Sequence, residues 1–399
     1  MPKSAQFSEI FDQLPIDQLL EIPHHATESE VQSILRRGFA RNIEEFAQLL
    51  SPAASAHLET LAELSQKITR RHFGKVIRLF APLYLSNECV NICKYCGFSR
   101  NNAIPRVTLP VEKVEAETRI LAGQGFRSLL LVAGEHPRYV SQNYVEECLK
   151  ACLPHMPSLS LEIAPMETEE YLPLVKAGCE GLVVYQETYH IPSYKELHPH
   201  GPKKHFHWRL DTPERAYEAG FRRLGIGALF GLYRWQHEAL CLASHAWHLN
   251  RNCCNAQLAL SFPRMRPAAG EFQPEEQNLL PDRQFVQLLC ALRLLLPHAA
   301  FVLSTRESPA LRDGIIPLGI TNISAGSATE PGAYSDYDHQ SWKPSRQQPG
   351  EQFNIADERS PAQMADILRQ KQLEPVWKDF DSSLVSPFSP PLPAAQNHH

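Results

Sequence analysis

The stretch VIRLFAPLYLS at residues 76–86 is the first of eight short apolar runs in the chain. The other seven are SLLLVAG (128–134), LSLEIAP (159–165), GLVVYQE (181–187), LGIGALF (224–230), AQLALSFP (256–263), AFVLSTRE (300–307) and ITNISAGS (320–327). Amphipathic segments of helical period, such as residues 111–125 and 283–297, lie between them. Eight strand–helix units over about 250 residues predict an α/β fold, a (β/α)8 TIM-type barrel of parallel strands.

An open, doubly wound sheet is the alternative fold for the same alternation of strands and helices. No Gly-rich phosphate loop follows the first run, which counts against a dinucleotide-binding sheet. Polar residues gather where each run ends, among them the cysteines after the first run and STRE at the end of the seventh. Because the carboxyl ends of barrel strands carry the active site, we expect one large central site.

The pattern divides the chain into four parts. They are an N-terminal helical extension (1–75), the barrel (76–330), a C-terminal loop and helix that close the barrel (331–381), and a proline-rich tail that we expect to be disordered (382–399). Thr27 and Glu30 form the pattern of a capping box, and Ser360 with Pro361 predicts another helix start. The loop at 335–352 is expected to cover the site.

Composition narrows the functional classes. The 399 residues carry a formal charge of −5 and no run rich in lysine or arginine, so we expect no nucleic-acid partner. No signal peptide and no apolar stretch of membrane-spanning length is visible, which predicts a cytoplasmic protein without a membrane contact. Thiols stay reduced in that compartment, so a tight group of cysteines favours metal binding over disulfides.

Three of the ten cysteines, Cys89, Cys93 and Cys96, have the spacing C-x3-C-x2-C. Structural zinc sites normally close with four ligands, whereas a four-iron cluster takes one ligand per iron. Three thiolates would leave one iron open to bind a small molecule. The alternative is a zinc site completed by a histidine such as His72, in a zinc-stabilised binding module without catalysis.

This spacing, with Tyr95 just before the last cysteine and after the first predicted strand, resembles the radical S-adenosylmethionine superfamily. The resemblance implies a 4Fe–4S cluster whose open iron chelates S-adenosylmethionine, which is then reductively cleaved to a 5′-deoxyadenosyl radical. Residues 133–135 (AGE) resemble the Gly-Gly-Glu segment of that family, which holds the methionyl amine. Ala133 departs from its first glycine, so the match depends on Gly134 and Glu135.

Longer segments resemble the tyrosine lyases of that superfamily. They are LEIAP (161–165), VYQETYH (184–190), residues 208–232, SFPRMRPA (261–268), STRE (304–307), SAGSATEPGAYS (324–335) and QFNIADERS (352–360). LEPVWKDFD (373–381) is similar to the 2-iminoacetate synthases of thiazole (thiamine) biosynthesis. The resemblance, which runs from about residue 30 to residue 381, implies cleavage of L-tyrosine at Cα–Cβ to 2-iminoacetate and p-cresol. It also implies a thiazole synthase partner and a flavodoxin- or ferredoxin-type reductant.

Two related activities remain as alternatives. The hydrogenase-maturation tyrosine lyases carry an additional C-terminal domain with a second cysteine-bound cluster. No cysteine follows Cys290 in this chain, so that cluster would lack its ligands. A tryptophan lyase of the same superfamily is the other alternative.

Several residues are candidates for binding S-adenosylmethionine. Tyr95 would line the adenine, and Glu162 would accept the two ribose hydroxyls, since a carboxylate suits a diol. Arg209 could bind the methionyl carboxylate, because a guanidinium matches a carboxylate with two hydrogen bonds. Glycines that would let the backbone approach the adenine are Gly225, Gly227 and Gly231. Tight barrel packing explains these glycines equally well.

The carboxylate of an amino-acid substrate needs a cation. Arg306 is the first candidate, with Ser304 two residues earlier on the same face of the predicted strand. Arg264 and Arg266 share a face in the same way and are lesser candidates. Residues that could contact the amine or the phenol are Gln186, Glu187 and His248. Structural hydrogen bonding is the alternative role for each of these three.

Overall fold

The computed structural model describes residues 6–270, 272–338, 343–344 and 350–378. Eight of its strands are β1 (Val76–Ser86), β2 (Ser128–Ala133), β3 (Ser158–Glu162), β4 (Gly181–Glu187), β5 (Arg223–Ala228), β6 (Gln257–Ser261), β7 (Ala300–Leu303) and β8 (Asn322–Ser324). Each pairs in parallel with the next, and β1 also pairs with β8, so the sheet closes. The predicted (β/α)8 barrel is confirmed, and the open sheet is wrong.

Helices surround this barrel. The helices before β1 are α1 (Phe7–Phe11), α2 (Ile16–His25), α3 (Glu28–Arg37), α4 (Ile43–Leu49), α5 (Pro52–Ala56) and α6 (Leu58–Phe73). Those that follow are α7 (Val111–Gly123), α8 (Gln142–Cys152), α9 (Thr168–Lys176), α10 (Ile191–Leu197), α11 (Phe206–Leu210), α12 (Thr212–Ala219), α13 (Trp235–Asn252), α14 (Asp282–Leu295), α15 (Pro309–Gly319) and α16 (Pro361–Gln370). Within the described ranges, no helix has the length and apolarity to cross a membrane.

Three short strands complete the described part of the chain. β9 (Tyr337–Asp338) and β10 (Lys343–Pro344) form an antiparallel pair, and β11 (Glu374–Val376) pairs in parallel with the first residues of β1. The capping box at Thr27 is confirmed, since its backbone N–H donates to Glu30 over 2.8 Å and its hydroxyl accepts from the Glu30 N–H over 3.3 Å. The start of α16 at Pro361, capped by Ser360, is confirmed too.

Several strands end earlier than the apolar runs predict. β3 ends at Glu162, β6 at Ser261 and β7 at Leu303. Pro165 and Pro263, which lie beyond two of these ends, have no N–H to donate to a neighbouring strand. The residues past the ends therefore form loops on the C-terminal rim, and period-two alternation does not decide where their side chains point.

The segment before α16 crosses this rim and closes one side of it. The Gly97 N–H donates to the Gln352 carbonyl, and the Gln352 N–H donates to the Thr329 carbonyl, both over 3.0 Å. The Ala356 N–H donates to the Thr305 carbonyl at the same distance. Half of the predicted covering loop (residues 339–342 and 345–349 of 335–352) and all of the 382–399 tail lie outside the described residues.

A buried ion-pair network anchors that segment to the outside of the barrel. Arg312 on α15 pairs with Asp357, and both side chains are 0 % exposed. Asp357 also accepts from Arg359 over 2.6 Å, and the Arg312 guanidinium donates to the Ser324 carbonyl at the end of β8 over 2.6 Å. Burial raises the pKa of Asp357, but Arg359 and Arg312 outweigh it and hold that pKa below its usual 3.8.

Replacing Asp357 tests this anchor. Asp357→Asn leaves the buried Arg312 guanidinium without a counter-charge, so the free energy of unfolding should fall by about 3–5 kcal/mol at pH 7. Because the pKa of Asp357 is lower in the folded protein, its stabilisation is present above the unfolded pKa and is lost as the pH falls through the folded one. Urea titrations should show the two proteins converging in strong acid. A constant difference at all pH values would contradict the role of the Asp357 charge.

Candidate active site

Cys89, Cys93 and Cys96 line one cavity on the C-terminal rim, in the loop that follows β1. Cys93 is buried, and the other two are half-buried. Charged residues that line the same cavity are Glu135, Glu162, Glu187, Lys203 and Arg209. The structure thus brings together residues that lie more than 100 positions apart, at the edge where barrel enzymes bind their substrates.

The three thiols suit a cluster better than a single metal ion. No group of three His, Cys, Asp or Glu side chains is arranged around one ion position anywhere in the described ranges. A four-iron cluster instead takes each thiolate on a different iron, so its ligands surround a larger volume. His72, the proposed fourth zinc ligand, does not line this cavity, and its ring packs against His298 with ring centres 4.2 Å apart.

Burial keeps these thiols protonated until metal binds. Burial raises the pKa of Cys96 to about 11 and that of Cys93 well above its usual value. Burial raises the pKa of Cys89 too, with Glu135 as the second cause. Iron binding must therefore displace protons, which makes cluster assembly dependent on pH. A positive charge in the same cavity, that of Lys203, favours the thiolate form.

Backbone contacts position the cysteine loop against β2. The Gly134 N–H donates to the Ser86 carbonyl and the Val90 N–H donates to the Glu135 carbonyl, both over 2.9 Å. At Gly134 an added Cβ would lie 2.2 Å from the Glu88 carbonyl oxygen. Only glycine allows this approach, so the end of β2 and the start of the loop meet without a side chain between them.

Two ion pairs lie beside the thiols. Arg209 Nη1 donates to Glu135 over 2.7 Å, and Lys203 Nζ donates to Glu187 over 2.7 Å. Asn91 lies between the pairs, because its Nδ2 donates to Glu135 over 2.6 Å and its Oδ1 accepts from the Lys203 N–H over 2.9 Å. Burial raises the pKa of Glu135, but Arg209 and Lys203 outweigh it and keep it ionised. Paired charges of both signs match the ammonium and carboxylate of a methionyl group.

A second cavity adjoins the first and contains Arg306. Its residues include Tyr84, Ser304, Arg306, Gln352 and Phe353. The Arg306 guanidinium lies 3.4 Å above the centre of the Phe353 ring, a cation–π contact. Among the described residues it makes no ion pair. Burial lowers the pKa of Arg306, while Tyr84 and Glu187 act against that shift.

The expected strand face for Ser304 and Arg306 is wrong. β7 ends at Leu303, and both residues lie in the turn that follows. They nevertheless line the same cavity, and the Arg306 N–H donates to the Ser304 Oγ over 3.4 Å. A tight turn, rather than strand alternation, therefore brings the two side chains together.

Glu162 lies at the boundary between the two cavities and lines both of them. Burial and the neighbouring Glu187 raise the pKa of its carboxyl to about 7, although Arg306 opposes the shift. No side chain among the described residues pairs with it. Near neutral pH, a carboxyl in this state can accept hydrogen bonds from hydroxyl groups when ionised and donate one to them when protonated. This accords with its predicted contact with a ribose.

Other predicted substrate residues are not brought to the second cavity. Arg264 donates to Glu307 and, over 2.7 Å, to Asp282, so its charge is already paired. The shared face expected for Arg264 and Arg266 is wrong because β6 ends at Ser261. Neither arginine lines the cavity.

His248 and Gln186 likewise lie elsewhere. His248 on α13 pairs with Glu214 over 2.9 Å and lies 5.4 Å from the Phe7 ring, under α1. The buried Gln186 amide donates to the Phe206 carbonyl over 3.4 Å. The structure thus gives both residues the structural role that was their alternative.

The predicted adenine residues have a different environment from the one expected. Tyr95 packs beside Cys93 and its hydroxyl lies 2.8 Å from His198 Nε2. A Cβ at Gly227 would lie 2.4 Å from the Ser261 carbonyl oxygen, and Gly225 lines a separate cavity inside the barrel, against Val183. Gly231 has φ +117° and packs on Met265. Barrel packing therefore accounts for all three glycines, and none lines the cysteine cavity.

Sequence reasoning missed Lys203 and Asn91. Lys203 lies in a single turn of 3-10 helix (Pro202–Lys204) after α10, which is too short for periodicity to predict its direction. The one sequence feature that could have indicated a role for Lys203 is its position six residues before Arg209, which was a candidate. Asn91 lies inside the cysteine motif, at a position that its spacing leaves unspecified.

Comparison with known proteins agrees with this geometry. Residues 83–240 match the radical SAM superfamily, and residues 261–374 match the Biotin and Thiamin Synthesis associated domain. The chain is 41 % identical over 379 residues to the 2-iminoacetate synthase of Escherichia coli (strain K12), covering 95 % of this chain and 97 % of that protein. The chain belongs to the 2-iminoacetate synthase family. The 2-iminoacetate synthase of Salmonella typhimurium is 39 % identical over the same shares.

Two solved structures share the fold of this member of the 2-iminoacetate synthase family. The FeFe-hydrogenase maturase HydG from Carboxydothermus hydrogenoformans superposes with a TM-score of 0.84 at 32 % identity, covering 94 % of this chain and 86 % of that one. Methylornithine synthase (PylB) superposes with a TM-score of 0.67 at 20 % identity, covering 87 % and 97 %. The predicted cofactors, a 4Fe–4S cluster and S-adenosylmethionine, are confirmed by family membership. The hydrogenase-maturation alternative has less support than 2-iminoacetate synthase.

Adding a methyl group at Gly134 tests the close approach beside the cluster. Gly134→Ala would force its Cβ against the Glu88 carbonyl, displacing Cys89 and costing about 1–3 kcal/mol of stability. Iron and sulfide per chain after anaerobic reconstitution should fall well below those of the unaltered protein. Gly123→Ala is the matched control, because no atom lies within 4 Å of the added Cβ. Equal iron content in both variants would contradict the assigned role of Gly134.

Proposed function

We propose that this chain cleaves the Cα–Cβ bond of L-tyrosine to 2-iminoacetate (dehydroglycine) and p-cresol, as a carbon–carbon lyase. Family membership supports the reaction, and one observation supports its location. The Arg306 guanidinium, without a paired carboxylate in the described chain, faces the cavity next to the cysteines. A half-buried cation with no carboxylate bonded to it fits the carboxylate of an amino acid.

The residues around the first cavity would bind S-adenosylmethionine. Cys89, Cys93 and Cys96 would hold the cluster, which with S-adenosylmethionine supplies a 5′-deoxyadenosyl radical when bound. Glu135 would accept the methionyl ammonium, and Arg209 would donate to the methionyl carboxylate, so the existing ion pair would open to bind a zwitterion. Glu162 would accept the ribose hydroxyls at the boundary with the substrate cavity.

The second cavity would orient tyrosine toward that boundary. Arg306 and the Ser304 hydroxyl would bind its carboxylate, and the aromatic walls formed by Tyr84 and Phe353 would exclude water from the radical. Glu187 is paired with Lys203 in the first cavity and would act on the methionyl group rather than on tyrosine.

The overall reaction requires electrons from outside the chain. Tyrosine splits into 2-iminoacetate and p-cresol with no net change of oxidation state. The sulfonium becomes methionine and 5′-deoxyadenosine, which consumes two electrons and one proton per turnover. A flavodoxin- or ferredoxin-type reductant would supply them. Because the imine product hydrolyses in water, a thiazole synthase bound to this chain would consume it directly.

The experiment that tests the function is an anaerobic incubation of reconstituted protein with dithionite, S-adenosylmethionine and L-tyrosine. Chromatography should find 5′-deoxyadenosine and p-cresol together. 5′-Deoxyadenosine without p-cresol would exclude tyrosine, and 3-methylindole from L-tryptophan would then indicate a tryptophan lyase. Neither product, from protein with full iron and sulfide, would contradict the lyase.

Replacing Arg306 tests the carboxylate site. Arg306→Ala should raise the KM for tyrosine about 10- to 100-fold, since it removes a charge-assisted hydrogen bond of about 1.5–3 kcal/mol. Iron content and the KM for S-adenosylmethionine should stay unchanged. Arg119→Ala, which removes an exposed guanidinium from α7, is the matched control. An unchanged KM for tyrosine in Arg306→Ala would place the carboxylate elsewhere.

A further inference from the structure

Three stretches of the rim meet above the cysteine cavity. They are residues 88–102, 135–139 and 195–205. The Val90 N–H donates to the Glu135 carbonyl over 2.9 Å, which joins the first two stretches. The Ile92 N–H donates to the His200 carbonyl over 3.0 Å and the Lys94 N–H to the Leu197 carbonyl over 3.1 Å, which joins the first and third. We call their outer surface the cluster rim.

The cluster rim is positively charged, in contrast to the chain as a whole. Its exposed cations are Lys94, Arg100, Arg138, Lys195 and Lys204, and its one exposed carboxylate is Glu196. Glu196 pairs with Lys94 over 2.9 Å, whereas Arg100 has no carboxylate beside it in the described chain and its Nη1 lies 3.1 Å from His200 Nε2. Five exposed cations and one exposed carboxylate give this surface a positive charge, although the chain as a whole has a formal charge of −5.

The same surface lies directly over the cluster ligands. Lys94 directly follows Cys93 in the loop, and its side chain is 43 % exposed. The Cys93 thiol, in contrast, is buried. An electron that reaches the cluster from another protein must cross a thin layer of chain, and at Lys94 that layer is a few covalent bonds thick. Electron transfer slows steeply with distance, so a donor gains most by binding here.

We propose that the cluster rim is the docking surface for an acidic, low-potential, one-electron carrier protein of the flavodoxin type. This inference rests on the proposed function, which requires two electrons per turnover. One electron leaves the reduced flavin and enters the cluster held by Cys89, Cys93 and Cys96, so the carrier is oxidised by one electron in each encounter. Opposite charges steer the two proteins together and speed their association.

Charge reversal on the rim tests the proposal without touching the site. The rim variant is Arg100→Glu, Arg138→Glu and Lys195→Glu combined, none of which lines either cavity. The matched control reverses three exposed cations on α3 and on α6, with the same total change of charge: Arg36→Glu, Lys67→Glu and Arg71→Glu. Anaerobic calorimetry would measure the binding of purified flavodoxin to each reconstituted protein.

At low ionic strength the rim variant should bind flavodoxin on the order of tenfold more weakly than the unaltered protein. The control variant should bind as the unaltered protein does. High salt should reduce the difference, because ions screen exposed charges. Equal binding by the rim and control variants, or a difference that salt does not reduce, would overturn the proposal.

A second readout separates this proposal from the proposed function. With saturating dithionite, both variants should form p-cresol at the rate of the unaltered protein. With reduced flavodoxin as the only donor, the rim variant alone should need on the order of tenfold more donor for half its maximal rate. No p-cresol from unaltered protein with dithionite would contradict the lyase, whereas an unchanged flavodoxin requirement in the rim variant would contradict only the docking surface.

Discussion

The approach of the Gly134 backbone to the Glu88 carbonyl determines how the rest of the site is assembled. With no side chain between them, the end of β2 lies directly against the loop that carries the three thiols. Glu135, the next residue, is thereby held beside Asn91 and within reach of Arg209. One steric constraint therefore fixes where the charged end of a cofactor can lie relative to its metal.

The two cavities together form a site of balanced charge. Among the described residues that line them, three carboxylates (Glu135, Glu162, Glu187) face three cations (Lys203, Arg209, Arg306). Two of each are paired, which leaves Glu162 and Arg306 as the members without a direct partner. The amino and carboxylate ends of methionyl and tyrosyl groups form zwitterions, so these ends can enter this site without adding net charge to a region where an unbalanced charge is costly.

Periodicity and composition predicted the barrel and the cysteine cavity well, because strand runs and metal-ligand spacing are local signals. β1 and β4 begin and end at the predicted residues. The directions of side chains past the strand ends were predicted less accurately. A turn brings Ser304 and Arg306 together there, and Arg264 pairs with Glu307. Lys203 escaped prediction because its position depends on the tertiary fold, through the contact between its backbone and Asn91.

The order of the site along the chain has a consequence for its assembly during synthesis. The thiols occur in the first quarter of the sequence, whereas Gln352 and Phe353 come from a segment that is anchored by Asp357 close to the C-terminal end. A nascent chain therefore exposes all three cysteines long before the wall of the substrate cavity exists. The sheltered substrate cavity is complete only after Gln352, Phe353 and Asp357 have left the ribosome.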